Sequence, residues 1–471
     1  MNFKMVPEII VSNIETVYRR HSSVVEITPV EEARNPHNHD KESKESGQDM
    51  LKIKSIPSLL ISNVTYIFII LSISILWSTP ATVIPAHNAI QFPNYWWEAI
   101  VTGGPTIALY LAVITVLDWK LFYDTTYTKL LWTFVGLFAN ALVSIVSCWC
   151  VCFLIWTVWL GYNNPMPFVG MICYVITNLS QFIALWYLFP KEQKTGEHYK
   201  KKIWAYIGYR LWQLFYVQQQ LALKTVMMKL PLSLQWLVAF VVPVLRELNL
   251  TVLKKILKYA VDLDLFSLMK TRLTATITVF VINSFWIAIV VSSLASPATG
   301  YSMLAVDFAL NVYDTWQIIK LNRKVLPKNG FEKVKNITHF LKKKEETMGL
   351  VAVEMIEMLV PIAYIITFTI AFYGKNAELI GGVKFGGWQH KEVDDLISFS
   401  SDLMMMFAID FTALIVSTIL LWRYASINLL SEGYNVMKLY CPLISNRIGG
   451  TIFLVIIEIK SIISLNNFNV L

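Results

Sequence analysis

The sequence predicts an all-α fold: a polytopic helical membrane protein with eight to ten transmembrane helices. Three observations carry that expectation. Charged residues make up only 15% of the 471-residue chain and apolar ones 55%, whereas a soluble domain carries about 25% charged residues. The missing charge is also concentrated: no Asp, Glu, Lys or Arg occurs between Ser55 and Trp97, or between Leu130 and Pro190. A spanning helix needs about 20 apolar residues, and hydrocarbon forces such a run to satisfy its own backbone hydrogen bonds. The lysines and arginines, finally, gather in short segments between apolar runs, the pattern that encodes membrane topology.

Residues 1–54 read as a cytosolic, disordered tail, because Glu31 to Asp49 is polar and poor in apolar side chains. No apolar h-region opens this tail, so no cleavable signal peptide is expected. The first span runs from about Pro57 to Thr79, with Lys41, Lys44, Lys52 and Lys54 before it. No Lys or Arg occurs from Pro80 to Trp97, which places that loop outside. The second span covers about Ala99 to Leu117. Its Gly103, Gly104 and Pro105 form a candidate broken helix, since Pro lacks an N–H and Gly weakens the helix.

The third run, Leu130 to Leu160, would be about 46 Å long as a helix, longer than the roughly 30 Å hydrocarbon core. It is expected to tilt or protrude. A GYNNPMP turn leads to the fourth span, about Phe168 to Leu188, and a basic cytosolic loop follows near 190–202. Residues 203–248 are ambiguous. Basic segments flank them on both sides, so loop charge admits zero or two crossings, and two are preferred. Residues 247–270 place lysines between apolar residues at helical spacing, which predicts an interfacial amphipathic helix.

The spans that follow are Leu273 to Leu294, Leu350 to Phe372 and Leu403 to Leu421. Met303 to Ile319 carries Asp307 and Asp314 and is only moderately apolar. It must nonetheless cross if the basic segment near 320–349 is cytosolic. Tyr373 to Ser401 then becomes the longest external loop. Thr451 to Ile463, with Glu458 and Lys460, is short and charged and is expected to lie in the interface. The membrane domain thus covers 55–464, a short C-terminal tail covers 465–471, and both termini are cytosolic. The net charge of +8 points to anionic lipids at the basic loops near 190–202, 246–272 and 320–349, and not to nucleic acid. Which membrane houses the chain is not encoded.

The residues that could carry chemistry are acidic and intramembrane. Asp307 and Asp314, seven apart, share a helix face, and Asp410 sits mid-span with Asp402 near the outer end. A charged residue at the helix centre costs about 2.5–3.5 kcal/mol on insertion scales, and such residues often mark ion or proton pathways. Asp307, Asp314 and Asp410 are therefore the candidate lining of an intramembrane polar pathway. The alternative is that they pair with Arg210 and with Tyr and Trp donors to hold helices together. Glu354 and Glu357 fall at the start of a span, where they are expected to be wet.

Other signatures are missing. Cys148, Cys150 and Cys152 alternate in the third run and point in different directions on a helix, which does not suit a metal. The seven histidines form no HExxH-like pair, and no Walker loop, GxSxG or dinucleotide fingerprint occurs. Asp394-Asp395 lacks the basic residues that a diphosphate site needs. Sequons at Asn63, Asn178, Asn249 and Asn336 fall in expected spans or cytosolic loops, where none would be glycosylated. No cofactor is implied.

The stretch FYGKNAELIGGVKFGGWQHKEVDD (Phe372 to Asp395), followed by LLWRYASINLL (Leu420 to Leu430), resembles multispanning membrane proteins of oomycetes. The resemblance lies within the C-terminal third, from Phe372 to about Leu430, and implies a multispanning fold. It supplies no substrate or catalytic residue. The residues themselves favour a transporter or channel with an acidic intramembrane pathway. A membrane-embedded enzyme acting on a lipid or terpenoid, and a receptor or scaffold, are the competing readings.

Overall fold

A computed structural model describes residues 56–83, 87–89, 92–93, 101, 105–122, 127–159, 169–188, 197–258, 265–293, 297–323, 332–374 and 393–467. Among these residues, eleven helices and one short antiparallel ribbon (His87–Ala89 with Phe92–Pro93) account for nearly all of the backbone. In chain order the helices are α1 Ile56–Val83, α2 Pro105–Phe122, α3 Tyr127–Phe153, α4 Val169–Leu188, α5 Glu197–Lys229 and α6 Val238–Lys258. They continue with α7 Leu265–Ser293, α8 Pro297–Arg323, α9 Glu332–Tyr373, α10 Val393–Ala425 and α11 Leu429–Asn467.

Among the described residues, seven stretches are long and apolar enough to cross a membrane: Ile56–Val83, Leu131–Cys152, Leu234–Lys258, Thr271–Val291, Lys342–Tyr373, Leu396–Ala425 and Leu429–Ile456. Pro105–Asp118 and Val175–Leu188 are shorter apolar helices. The chain therefore has the build of an integral membrane protein, with seven such spans where eight to ten were expected.

Burial sorts these helices into inner and outer ones. The Thr271–Val291 span is 94% buried, which makes α7 the central helix, whereas Leu131–Cys152 is 17% buried. Large apolar side chains of α3, such as Leu131, Trp132 and Val143, point outward. Such a surface suits lipid rather than water. Around α7 pack α9, α10, α11 and α6, while α3 and α4 pair on the flank beside α2. The third run bends from α-helix into a π-helical turn at Leu154–Trp159.

Several expectations change. Residues 203–229 are not a separate crossing: they lie within the long helix α5, which is too polar to qualify as a span, while Leu234–Lys258 does qualify. Residues 247–258 do not form an interfacial helix of their own, because they extend α6 past Pro243, and residues 265–270 open α7. The expected external loop loses residues 393–401 to α10. The stretch 429–450 was not counted as a span, yet with Thr451 to Ile456 it forms one. That uncounted helix removes the even parity on which the placement of both termini relied.

Helix α11 seats closely against α1 and α2. A methyl group at Gly449 would lie 2.8 Å from the Cα of Ser74, and one at Gly450 would overlap the Tyr110 ring. Close approach lets side chains bond across the seam. Ser74 Oγ donates to the Ser445 carbonyl at 3.1 Å, Trp77 Nε1 to Asn446 Oδ1 at 2.7 Å, and Asn63 Nδ2 to the Leu430 carbonyl at 3.1 Å. The α10–α11 turn uses Ser426 in the left-handed region (φ 53°), and Asn428 Oδ1 caps α11 by accepting from Leu430 N.

A buried basic network ties α2, α5, α7 and α11 together. Arg447 Nη2 donates to Asp118 Oδ1 at 2.6 Å and to Tyr209 Oη at 2.7 Å, and Arg210 Nη1 meets Asp118 Oδ2 at 3.2 Å. Arg210 Nη2 donates to Thr115 Oγ1 at 3.0 Å, and Tyr209 Oη pairs with Thr278 Oγ1 at 3.1 Å. Arg210 thus serves Asp118, and not the acids of α8 and α10.

Two outcomes are expected. Gly450→Val lowers the stability of the detergent-solubilised protein by about 1–3 kcal/mol, the usual cost of overpacking. Gly349→Ala, where an added methyl meets nothing within 4 Å, does not lower it. Asp118→Asn costs about 3–5 kcal/mol, because it leaves two buried guanidiniums uncompensated. Denaturation midpoints would measure both, and an unchanged Asp118→Asn midpoint would remove the network from the stability account.

Candidate functional site

Four helices bring polar residues to one buried place. On α8, Asp307, Asn311 and Thr315 recur every four residues, so they form one stripe. On α9, Glu354 and Glu357 lie three apart and share a face. Helix α10 supplies Asp410 and, two turns on, Ser417, and α6 supplies Arg246 just after Pro243. All of these side chains are buried, Glu354 and Glu357 completely.

Arg246 Nη1 donates to Asp307 Oδ1 at 2.9 Å, and its guanidinium carbon sits 4.6 Å from the centre of the Phe280 ring. Asn311 Nδ2 donates to Glu357 Oε2 at 3.0 Å. Thr315 and Ser417 hydroxyls bond each other at 2.8 Å across the α8–α10 seam. One carboxylate oxygen from each of Asp307, Glu357 and Asp410 lies within 4.8 Å of the others. Asp307 Oδ2, Glu357 Oε1, Asp410 Oδ2 and both oxygens of Glu354 have no hydrogen-bond partner.

The electrostatics follow directly. Four carboxyl groups face one guanidinium. An ionised, uncompensated carboxylate in such a place costs several kcal/mol. The cluster must therefore take up positive charge, as protons or as a cation.

Two spaces border Arg246, and the inner one also borders Asp307. An outer vestibule of about 510 Å³ is lined by Arg246, Asp314, Gln317, Lys342, Glu345 and Glu346, among others. Its rim is polar and exposed at Asp314, Gln317, Lys342 and Glu346. An inner cavity of about 10 Å³, room for one water-sized particle, is lined by Val242, Pro243, Arg246, Asn283, Ile287, Met303 and Asp307. Arg246 belongs to both walls. In the opposite direction along α9, two turns beyond Glu357, Tyr364 packs edge-on against Phe285, Phe368 and Phe399. That aromatic group is buried. The polar vestibule thus reaches Arg246 on one side of the cluster, and a packed aromatic group lies on the other.

Asp307 and Asp410 come together, whereas Asp314, two turns from Asp307, lines the vestibule. Pro105 is the exposed first residue of α2, a position a proline fills without loss of a hydrogen bond. Gly103 and Gly104 lie outside the described residues. Glu354 and Glu357 are not wet: α9 begins at Glu332 and its apolar span at Lys342, which carries both deep into the bundle. Asn311, Asn283 and Arg246 were not singled out by sequence reasoning, and Arg246 was assigned to a basic loop. The signal for Glu354 and Glu357 was present, since VAVEMIEMLV offers two acids and no base in an apolar helix. Cys148 is buried and Cys150 exposed, so these thiols face different ways.

No family model matches this chain, and neither the curated proteins nor the solved structures yield a match.

In a chain freed of its native cysteines, Asp314→Cys is expected to react with a charged maleimide added to the Lys342 side, and Asp410→Cys to resist it. Equal labelling of the two positions would remove the distinction between vestibule and sealed cluster.

Proposed function

We propose that the protein is a membrane transport protein that carries a cation, proton or metal, through the carboxyl cluster of Asp307, Glu354, Glu357 and Asp410. The observation that carries this reading is the excess of buried acid over base beneath a polar vestibule. A purely structural polar network pairs its charges, as Asp118 does with Arg210 and Arg447. Here three carboxyl groups have no basic partner, an expensive arrangement that makes sense where positive charge arrives and leaves. The aromatic plug of Phe285, Tyr364, Phe368 and Phe399 supports the same reading, because alternating access needs one closed side.

The vestibule mouth carries Lys254 and Lys342, with Lys255, Lys258 and Lys344 nearby. By the positive-inside rule this is the cytosolic face, and these lysines would hold anionic lipid. Arg246 keeps one positive charge on the cluster when no cargo is bound. Glu354, with neither oxygen bonded, is the group best placed to exchange a proton.

Proteoliposomes with a pH-sensitive dye inside, driven by an imposed membrane potential, would test the reading. The wild-type chain is expected to pass protons or a competing metal ion. Asp410→Asn is expected to lower that flux at least about tenfold, the usual scale for loss of a proton-transferring group. Asp402→Asn, a half-buried acid on the same helix, should retain it. Equal flux through wild-type and Asp410→Asn protein would exclude the cluster from transport.

A further inference from the structure

We infer that Asp307, Glu357 and Asp410 form a binding site for one divalent metal cation of the hard, oxygen-preferring class, such as Mg²⁺, Mn²⁺ or Ca²⁺. The inference deepens the transport reading by naming the cargo or coupling ion, and it rests on that reading for its purpose.

Geometry is the first support. Ligands on opposite sides of Mg²⁺ stand about 4.1 Å apart, and around Ca²⁺ about 4.6–5.2 Å. The three carboxylates already place one oxygen each within 4.8 Å of the others, so an ion can enter with small side-chain adjustments. Each acid also has an unused oxygen: Asp307 gives Oδ1 to Arg246 and keeps Oδ2, and Glu357 gives Oε2 to Asn311 and keeps Oε1. Asp410 keeps Oδ2.

A neutral residue on another helix supplies independent support. Asn283, on α7, is fully buried, and neither its amide nitrogen nor its amide oxygen has a hydrogen-bond partner. A buried amide with no partner costs about 1–3 kcal/mol. It lines the inner cavity beside Arg246 and Asp307. That cavity holds one water-sized particle, and an amide oxygen or a water held by the amide is a normal ligand for a hard cation. Of the three carboxylates Asp307 lines that cavity and Glu357 and Asp410 do not, so the amide is placed to hold a particle at the Asp307 end of the site.

Charge sets the valence. Arg246 and a divalent ion together carry three positive charges, one for each of the ligands Asp307, Glu357 and Asp410, with Glu354 as the fourth carboxyl beside them. A monovalent ion would leave one more carboxyl group without a counter-charge than a divalent ion does. Ligand type sets the class: the donors here are carboxylates and an amide, which suit Mg²⁺, Ca²⁺ and Mn²⁺ better than thiolate-preferring ions.

The test uses the full chain in detergent or nanodiscs, with MnCl₂ as probe and free Mn²⁺ read by electron paramagnetic resonance. Wild-type protein is expected to bind one Mn²⁺ per chain and to lose Mn²⁺ to added CaCl₂ or MgCl₂. Asp410→Asn and Glu357→Gln should each weaken binding at least about tenfold, and Asn283→Leu about ten- to hundredfold, the range for supporting groups at metal sites. Asp402→Asn should bind as wild type does. Saturation and displacement by CaCl₂ or MgCl₂ are read on the unmodified protein, so a variant that fails to fold does not decide the outcome.

No saturable Mn²⁺ binding, or binding that CaCl₂ and MgCl₂ do not displace, would overturn the site. Folded Asp410→Asn and Glu357→Gln proteins with unchanged affinity would do the same. Failure of Mn²⁺ binding alongside Asp410-dependent proton flux overturns the metal site alone. Mn²⁺ binding without flux of any cation overturns the transport reading alone.

Discussion

Burying a charge inside a hydrocarbon-clad bundle costs several kcal/mol per ion unless a partner of opposite sign is buried with it. Water cannot make up the difference, because the outer surface of this bundle is Leu, Ile, Val and Trp. The arrangement of α2 and α5–α11 follows from that constraint. Polar side chains turn inward and are gathered into two networks, which are built on opposite accounts. In one, two arginines hold a single aspartate, with tyrosine and threonine hydroxyls filling in. In the other, four carboxyl groups are buried near a single arginine, which bonds Asp307. In the first, each charged group touches one of opposite sign. The second is incomplete without an added positive charge.

Packing makes these networks possible. Gly449 and Gly450 bring α11 against α1 and α2, so that Arg447 two and three residues earlier reaches Asp118. A bulkier pair would push α11 away and leave Arg447 without its carboxylate. On the other side, the four-residue spacing of Asp307, Asn311 and Thr315 matches the helical repeat, and one face of α8 delivers acid, amide and hydroxyl to α9 and α10 in turn. Pro243 lies one turn before Arg246 and removes a backbone hydrogen bond from α6 at the wall of the inner cavity.

The helical class and most of the apolar stretches were legible in the sequence, because hydrophobic runs are a local property. The span Leu429–Ile456 was not. Its apolar content is diluted by Glu432, Asn435, Asn446 and Arg447, and hydropathy cannot tell a charge that faces an interior partner from one that faces water. Arg246 failed for a related reason. Next to Lys254, Lys255 and Lys258 it looks like one more residue of a basic loop, and only the continuous α6 turns it inward. Asp307 and Asp410 were legible because no loop could house them. Glu354 and Glu357 were misplaced because the α9 helix starts at Glu332, long before its apolar run begins. The pairing of Arg210 with Asp118 depends on α2 and α5 meeting α11, which no local pattern encodes.

Arg246 borders both the vestibule and the inner cavity, and this has a consequence for any ion that arrives at Asp307. The guanidinium is a competitor fixed to the same molecule. A tethered group acts at an effective concentration that its backbone sets, typically millimolar or higher, and dilution cannot remove it. Affinity for an incoming ion is then governed less by the carboxylates than by how firmly α6 presents its arginine. A small displacement of α6 at Pro243 would change that presentation without altering a single ligand. For an ion bound at Asp307, affinity would then depend on a helix that contributes no ligand to it.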